Sequence, residues 1–333
     1  WEVALGAVFV SGVLFLILSL TGLREWVINS IPKSLKLGIG AGIGLFLAII
    51  GLKNAGVVVD HPATLVGLGD VTSLPVILFA AGLAIMIVLD RLRVSGGIII
   101  GILAVSIIGW VTGAGDFQGV ASLPPSLAPT LFKLDVTGVL TASIIGVVFA
   151  FLFVDFFDTA GTLTSVANLA DKIGADGKID GVGRAVISDS VATIAGSLFG
   201  TSNTTSYIES AAGIKEGGRT GLTAVIVSLL FLFCLVLAPL AESIPNYATA
   251  AALVFVATFF MRNIVEIDWD DATEFAPAML AAILMPLTFS IANGIAIGFI
   301  TYVVVKVASG RITEASPAVF LVAAMGALHY MLG

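Results

Sequence analysis

Long apolar runs succeed one another along almost the whole chain. Hydrophobic residues make up 58% of the sequence and charged residues 11%, whereas a typical soluble domain carries about 25% charged residues. A helix needs about 17 to 25 mostly apolar residues to cross a bilayer. The runs that approach this length lie at about 3–21, 35–52, 73–89, 95–113, 138–158, 185–199, 221–240, 246–261, 274–290 and 291–307, with a shorter one at 316–332. The sequence therefore predicts an all-α polytopic membrane protein.

The positive charges fall almost entirely on one side of these predicted spans. If the first span runs from outside to inside and the spans alternate, Lys53 and Lys133 lie outside. The other thirteen lysines and arginines lie on the opposite side: Arg24, Lys33, Lys36, Arg91, Arg93, Lys172, Lys178, Arg184, Lys215, Arg219, Arg262, Lys306 and Arg311. This asymmetry marks that side as cytoplasmic, provided that residues 201–214 contribute one crossing. We expect a multi-pass protein of the plasma membrane, or of the inner membrane if the source is bacterial.

Two distant segments of the chain resemble each other. Residues 7–23 and 224–240 share seven identities in seventeen positions, and each is followed by a Ser-Ile-Pro tripeptide. Seven predicted crossings separate them, so the second copy would be inverted in the membrane, as in many secondary transporters. The offset of 217 residues places the counterparts of residues 140–213 before residue 1. We therefore expect about 70 to 80 further residues, most simply three spans, upstream.

A polar stretch, GTSNTTSYIESAAG, interrupts the apolar pattern at residues 200–213. Its hydroxyl and amide side chains can replace main-chain hydrogen-bond partners. Irregular backbone at membrane depth occurs where it is buried in protein or lines a cavity. Ser206 and Glu209 fit the S-x-x-E capping box, which predicts a half-helix over 206–213 about 12 Å long. Glu209 is then either a substrate-binding acid or only a helix cap.

Three more acids lie in or near the predicted spans. Asp155 and Asp158 are three residues apart and share one helix face, and Asp189 follows in the next span. Intramembrane carboxylates are costly and usually mark ligand or proton pathways. The alternatives are that Asp155 and Asp158 are solvated at a cytoplasmic helix end, and that Asp189 supports a neighbouring helix. A protonated carboxyl group can donate one hydrogen bond and accept another, which suits a heterocycle; the acid that carries the proton stays open.

The remaining motifs point away from enzyme chemistry. GIGAGIG at 38–44 has GxxxG spacing, which favours close helix packing over nucleotide binding because no strand precedes it. GLGD at 67–70 matches a motif of intramembrane aspartyl proteases, but it lies outside the apolar runs. Cys234 is the single cysteine, and the two histidines have no further ligand at metal spacing. We expect a protein that is not an enzyme.

Three segments together resemble a known transporter family. They are VDFFDTAGTLTSVA (154–167), GTSNTTSYIESAAG (200–213) with GGRTGLTAV (217–225), and EIDWDDATEFAPAMLAAILMPLTFSIANGIAIGFI (266–300). The chain resembles the AzgA-like purine permease branch of the nucleobase:cation symporter-2, or nucleobase-ascorbate, transporters. The resemblance implies fourteen spans in two inverted seven-span repeats, with core and gate domains, of which about eleven spans are present here. It also implies proton-coupled import of adenine, guanine or hypoxanthine.

The resemblance also implies a substrate site. The family's acid in the eighth full-length span falls on Asp158, with Asp155 as a near competitor, and the acid of its half-helix falls on Glu209. The implied substrate-binding residues are Phe157, Asp158, Gly161, Thr162, Thr204, Thr205, Ser206, Tyr207, Ile208 and Glu209. Asp155 and Asp189 are assigned to proton coupling or support. Protons are the expected coupling ion, with no metal and no other cofactor.

The family topology further implies a division of the chain. The segments are the first-repeat core remnant 1–30, the first-repeat gate 31–113, an extracellular loop 114–137, the second-repeat core 138–242, the second-repeat gate 243–310 and a C-terminal apolar segment 311–333. We expect a purine nucleobase and the lipid bilayer as partners, no nucleic acid, and a homodimer as one compatible assembly. The alternative hypothesis is an anion transporter of the sulfate-carrier type, which shares the inverted architecture.

Overall fold

The computed structural model describes residues 1–124, 126–140, 142–174 and 177–332, and most of them are helical. The α-helices are α1 (Glu2–Leu20), α2 (Leu23–Asn29), α3 (Lys33–Asn54), α4 (Leu74–Arg91), α5 (Gly97–Thr112), α6 (Ala142–Leu169), α7 (Val182–Phe199), α8 (Ser210–Lys215), α9 (Gly221–Cys234), α10 (Ala238–Glu242), α11 (Asn246–Met261), α12 (Ala272–Leu287), α13 (Ile291–Ala308) and α14 (Pro317–Leu332). The strands are β1 (Val58–His61) and β2 (Leu65–Leu68). Short 3₁₀ turns cover Gly138–Leu140, Arg262–Glu266 and Ile312–Glu314.

The apolar runs correctly predict the helices of a multi-pass membrane protein. Within the described residues, six helices are long and apolar enough to cross a membrane: α1, α3, α4, α7, α11 with the 3₁₀ turn after it, and α13. Shorter apolar helices occur at α5, α9, α12 and α14. Most of their ends lie within a few residues of the predicted ends, because side-chain hydropathy decides which segments lipid can surround.

Two predicted spans have different ends in the structure. The fifth span was expected over 138–158, but α6 continues to Leu169 and has 28 residues, a length of about 42 Å. The run 221–240 divides into α9, which ends at Cys234, and the short α10. Pro239 lies in the first turn of α10, where its missing N–H costs nothing, whereas inside a continuous helix it would break a hydrogen bond.

The chain forms two compact units. The first comprises Trp1–Ile43, Ser126–Ile208 and Phe260–Gly333, and the second comprises Gly44–Pro125 and Glu209–Phe259. In the first unit, α1 packs against α6 and α7, and α13 packs against α12, α14 and α6. The division into core and gate segments implied by the family topology stays a prediction. The polar cluster described below lies in the first unit.

Close helix packing in the first unit confirms the interpretation of the GIGAGIG segment. A Cβ atom on Gly42 would lie 2.8 Å from Cα of Ala282 and would also collide with Met285. A Cβ atom on Gly38 would collide with the backbone of Ala278. Glycine is required at both positions because α3 approaches α12 too closely to leave room for a side chain.

The second unit contains a feature that the sequence analysis missed. β1 and β2 form an antiparallel hairpin between α3 and α4, in which Val58 pairs with Leu68. The GLGD motif overlaps the end of this hairpin. Its aspartate, Asp70, accepts hydrogen bonds from the N–H and the hydroxyl of Thr72 at an exposed turn. This turn-capping role explains Asp70 without catalytic chemistry.

Candidate functional site

Asp155 and Asp158 lie in the middle of α6 rather than at a helix end. The helix ends at Leu169. Asp155 is only 4% exposed, and Asp158 is half-buried. The alternative in which these acids are solvated at a cytoplasmic helix end is therefore wrong for Asp155. A buried carboxylate is unfavourable unless it is paired, hydrogen-bonded or neutralised, so its surroundings decide what it can do.

A buried arginine supplies positive charge beside the acids. Arg24, on α2, is 1% exposed, and its Nη2 lies 3.2 Å from Oδ2 of Asp189 on α7. Its Nη1 donates a hydrogen bond to the hydroxyl of Ser190 at 3.0 Å. The guanidinium carbon lies 4.2 Å from the ring centroid of Phe15, which is a cation–π geometry. The ion pair gives Asp189 a structural partner, whereas a part in proton coupling stays a prediction.

Threonine hydroxyls connect this ion pair to the polar stretch. The hydroxyl of Thr159, on α6, donates to Oδ2 of Asp189 at 3.0 Å and lies 2.9 Å from the hydroxyl of Thr205. One of the predicted substrate-binding residues, Thr205, is therefore linked to a buried acid through Thr159.

Residues 201–207 form an irregular segment, neither helix nor strand, and side chains of α6 and α7 hold part of it in place. The hydroxyl of Thr193, on α7, donates to the carbonyl oxygen of Thr204 at 2.8 Å and accepts from the Thr204 N–H at 3.3 Å. Thr204 thus has both main-chain groups satisfied without a helix or a sheet, as irregular backbone at membrane depth requires.

The predicted capping box does not form. α8 begins at Ser210 instead of Ser206, it is six residues long, and Glu209 at its N-cap position makes no side-chain capping hydrogen bond. The reason is competition, because side chains of α6 and α7 hold Thr204 and Thr205 in an irregular conformation just before this position. Ile208, at the end of the first unit, is half-buried, and Glu209 is exposed. Substrate binding by either residue stays a prediction.

The other predicted site residues differ in exposure. Phe157 and Thr162 are buried at 1% and 3% exposed, whereas Tyr207 is 59% exposed. Gly161 is buried, and a Cβ atom there would lie 3.1 Å from Cδ1 of Ile295 on α13. The space beside Gly161 is thus filled by helix packing. Substrate contacts of these residues stay predictions.

Three buried polar atoms of this cluster have no hydrogen-bond partner among the described residues: Oδ2 of Asp155, Oδ1 of Asp189 and Nε of Arg24. The two carboxylates share one guanidinium, so the cluster has one surplus negative charge when all three groups are ionised. An unpaired buried charge is unfavourable, and a proton on one carboxyl group removes the surplus. The cluster can therefore bind a proton or accept a hydrogen bond from an N–H group of a ligand.

Sequence reasoning missed the role of Arg24. Because it follows the first apolar run, it was counted among the cytoplasmic loop charges, but its side chain is buried against α7. The sequence does indicate that Asp189 has a polar partner. Asp189 lies inside an apolar span, and a charge in such a position almost always pairs with another polar group.

Comparisons with known proteins agree on one family. A model described as that of a permease family, the xanthine/uracil permeases, matches residues 1–297. The adenine permease AdeP of Escherichia coli K12 is 41% identical over 323 residues, which cover 97% of this chain and 73% of the relative. The guanine/hypoxanthine permease PbuG of Bacillus subtilis is 41% identical over 324 residues, covering 96% and 73%. A permease of Methanocaldococcus jannaschii is 48% identical over 332 residues, covering 99% and 76%.

A solved structure supports the same architecture. The transmembrane domain of the cyanobacterial bicarbonate transporter BicA matches with a TM-score of 0.61 at 18% identity, covering 89% of this chain and 76% of that chain. At this identity the likeness shows the fold alone, and it confirms the predicted all-α membrane fold with inverted repeats. Because the family model covers most of the chain and relatives above 40% identity cover nearly all of it, this chain belongs to the xanthine/uracil permease family of membrane transporters and is not an enzyme.

Proposed function

We propose that this protein imports purine nucleobases, namely adenine, guanine or hypoxanthine, across the plasma membrane together with protons by alternating access. One line of support is that relatives named as adenine and guanine/hypoxanthine permeases match nearly the whole chain at 41% identity. The other is the buried cluster of acids and hydroxyls around Asp155, Asp189 and Thr159. Family and cluster together favour a polar, uncharged heterocycle as the substrate.

The observation that carries the proposal is a pair of buried carboxylate oxygens, Oδ2 of Asp155 and Oδ1 of Asp189, that have no donor within the described part of the chain. A purine presents N–H donors and ring-nitrogen acceptors close together. A carboxylate accepts from the N–H group, and a protonated carboxyl group also donates to the ring nitrogen. Recognition of the purine and binding of the proton can therefore use neighbouring carboxyl groups, which would couple purine transport to proton transport.

The proposed roles follow the accessibility of the acids. Asp158 is half-buried and so more accessible than Asp155, which is 4% exposed. We assign the purine contact to Asp158, with the hydroxyls of Thr205 and Ser206 as nearby polar groups, and proton binding or support to Asp155 and Asp189. Glu209 is retained as a second substrate acid on the family resemblance.

Anion transport of the bicarbonate or sulfate type is the rival proposal, because a bicarbonate transporter shares the fold. The charge of the buried cluster disfavours it. Two carboxylates share one guanidinium, and that guanidinium already pairs with Asp189 at 3.2 Å. An anion would therefore meet net negative charge in a medium of low dielectric constant.

Uptake by the full-length protein, expressed in cells without purine transporters of their own, tests the proposal. We expect labelled adenine, guanine or hypoxanthine to accumulate, and a protonophore to stop that accumulation. Asp158→Asn keeps the shape of the side chain but removes its charge, and it should abolish most of the uptake. The control Asp180→Asn alters a 75% exposed side chain paired with Lys172 and should have no effect.

Two outcomes would refute the proposal. One is the absence of purine accumulation although the protein is present in the membrane. The other is uptake of bicarbonate or sulfate in place of purines. If purines accumulate and Asp158→Asn transports them normally, the transport proposal stands and the assignment of Asp158 is wrong.

A further inference from the structure

We propose that Arg24 is a positioning residue of the substrate site, which helps to hold the irregular segment 201–207 in place through its ion pair with Asp189. The consequence for transport rests on the proposed function, whereas the structural step rests on geometry alone. Arg24 lies on α2, outside the segments that carry the acids.

The guanidinium group of Arg24 is fixed from several directions. Nη2 lies 3.2 Å from Oδ2 of Asp189, and Nη1 donates to the hydroxyl of Ser190 at 3.0 Å and to the carbonyl of Val186 at 3.4 Å. Phe15 lies against the group, with its ring centroid 4.2 Å from the guanidinium carbon. At 1% exposure, water does not compete for these contacts. Arg24 therefore fixes where the Asp189 carboxylate lies.

Asp189 connects Arg24 to the polar segment through hydrogen bonds. Its Oδ2 accepts from Arg24 and also from Thr159 at 3.0 Å. Thr159 in turn lies 2.9 Å from the hydroxyl of Thr205. One carboxylate thus sets the position of a residue on α6 and, through that residue, of Thr205 in the irregular segment.

Loss of the arginine alone would be more disruptive than loss of both partners. Removing one member of a buried ion pair leaves the other charge uncompensated. The Asp189 carboxylate would then move toward other donors, and the hydrogen bond that it accepts from Thr159 would change with it. Asp155 interacts electrostatically with Arg24 as well, so the surplus negative charge of the cluster would also increase.

The geometry distinguishes arginine from lysine at this position. The two terminal nitrogens of Arg24 contact consecutive residues of α7, Asp189 and Ser190. A lysine ammonium is a single point charge on a flexible stem, so it can preserve the charge but not this two-point contact. Arg24→Lys therefore separates the effect of charge from the effect of geometry.

Hydrogen–deuterium exchange of the purified full-length protein tests the structural step without a substrate. We expect the amides of residues 203–208 to exchange faster in Arg24→Gln than in the wild type, and to a smaller extent in Arg24→Lys. The control Arg184→Gln alters an exposed arginine at the start of α7 and should not change the exchange. Unchanged exchange in folded Arg24→Gln protein would overturn the proposal, whether or not purines are transported.

Transport kinetics test the functional step. Arg24→Gln should raise the KM for the purine roughly tenfold or more, a size typical of directly coupled residues. In Arg24→Gln/Asp189→Asn a neutral amide can still accept from Thr159, so part of the loss should be recovered. A KM equal to that of the wild type in Arg24→Gln, with only less protein in the membrane, would overturn the positioning role.

Two further outcomes separate this inference from the proposed function. If Arg24→Gln does not fold, Arg24→Lys takes its place, and unchanged exchange together with an unchanged KM would overturn the inference. If the wild type does not take up purines but Arg24→Gln speeds exchange at 203–208, the proposed function fails and the positioning role is supported.

Discussion

The Nζ of Lys306, near the end of α13, lies 2.7 Å from Oε1 of Glu274, near the start of α12, and 2.7 Å from Oε2 of Glu314. Lys306 is completely buried. Glu274 also accepts hydrogen bonds from Ser34, near the start of α3, and from Tyr302 at 3.2 Å. One cation and its carboxylate partners therefore hold the ends of three helices together in the first unit.

Lys306→Met should lower the free energy of unfolding by about 2–3 kcal/mol, because the Glu274 carboxylate loses its cation while Glu314 keeps its pair with Arg311. The control Lys33→Met removes a pair with Glu266 in which the side chains are 74% and 49% exposed, and it should cost about 0–1 kcal/mol. Unfolding of the purified proteins in detergent, followed with denaturant, measures both values. Equal losses in the two variants would contradict this account of Lys306.

Asp271, the N-cap of α12, should make stability depend on acid pH. Hydrogen bonds from Thr273 and from Arg311 lower the pKa of this carboxyl group from 3.8 to about 2. A lowered pKa stabilises the folded state above pH 3.8, and that stabilisation is lost as the pH falls from there through about 2. Asp271→Asn keeps a capping side chain but loses the charge. The difference in unfolding midpoint between wild type and variant should therefore shrink below pH 4, and a difference that grows there would contradict the prediction.

Gly42→Val should destabilise the first unit by about 1–3 kcal/mol or more, because the new side chain would overpack the contact with Ala282 and Met285. Gly213→Ala is the control, since no atom lies within 4 Å of a Cβ at that position. Alanine is also the better helix former, so the control should be neutral or stabilising by up to about 1 kcal/mol. Thermal unfolding in detergent compares the two, and a stable Gly42→Val protein would show that α3 can move away from α12.

Thr159→Val should weaken both stability and transport. It removes the hydroxyl that bridges Asp189 and Thr205, and leaving buried polar groups without a partner costs about 1–3 kcal/mol. Thr164→Val is the matched control on the same helix, because the Thr164 hydroxyl is buried and already lacks a partner among the described residues. Denaturant unfolding and purine uptake should separate the two variants. If Thr164→Val is the more harmful change, the proposed hydroxyl bridge is not important.

Hydropathy predicts the helices of this chain better than it predicts their ends. The second half of α6 was missed because it contains the sequence TAGTLTSVANL, in which hydroxyl residues lower the mean hydropathy. Thr159, Thr162 and Thr164 are nevertheless buried, because α6 packs there against protein rather than lipid. Hydropathy measures compatibility with lipid, so a helix buried among other helices can continue beyond its apolar run.

In the candidate site, the sequence reveals the acids but not their partners. Asp155 and Asp189 are conspicuous because charges within apolar runs are rare. The capping-box pattern predicted a wrong helix start because side chains of α6 and α7 hold Thr204 and Thr205 in an irregular conformation, and Arg24 was missed for a similar reason. Local spacing describes neighbours along one helix, whereas these partners come from elements far apart in the sequence.

The Thr193 hydroxyl donates to the carbonyl oxygen of Thr204 and accepts from the Thr204 N–H. It thus makes the two hydrogen bonds that a neighbouring β-strand would otherwise provide. The consequence concerns which substitutions this position of α7 tolerates. Valine is nearly isosteric with threonine and suits a membrane helix, yet it would leave two main-chain groups of Thr204 without partners. Serine keeps a hydroxyl on the same Cβ atom. Position 193 is therefore restricted to threonine or serine by its hydrogen bonds, although neither size nor hydropathy would exclude valine.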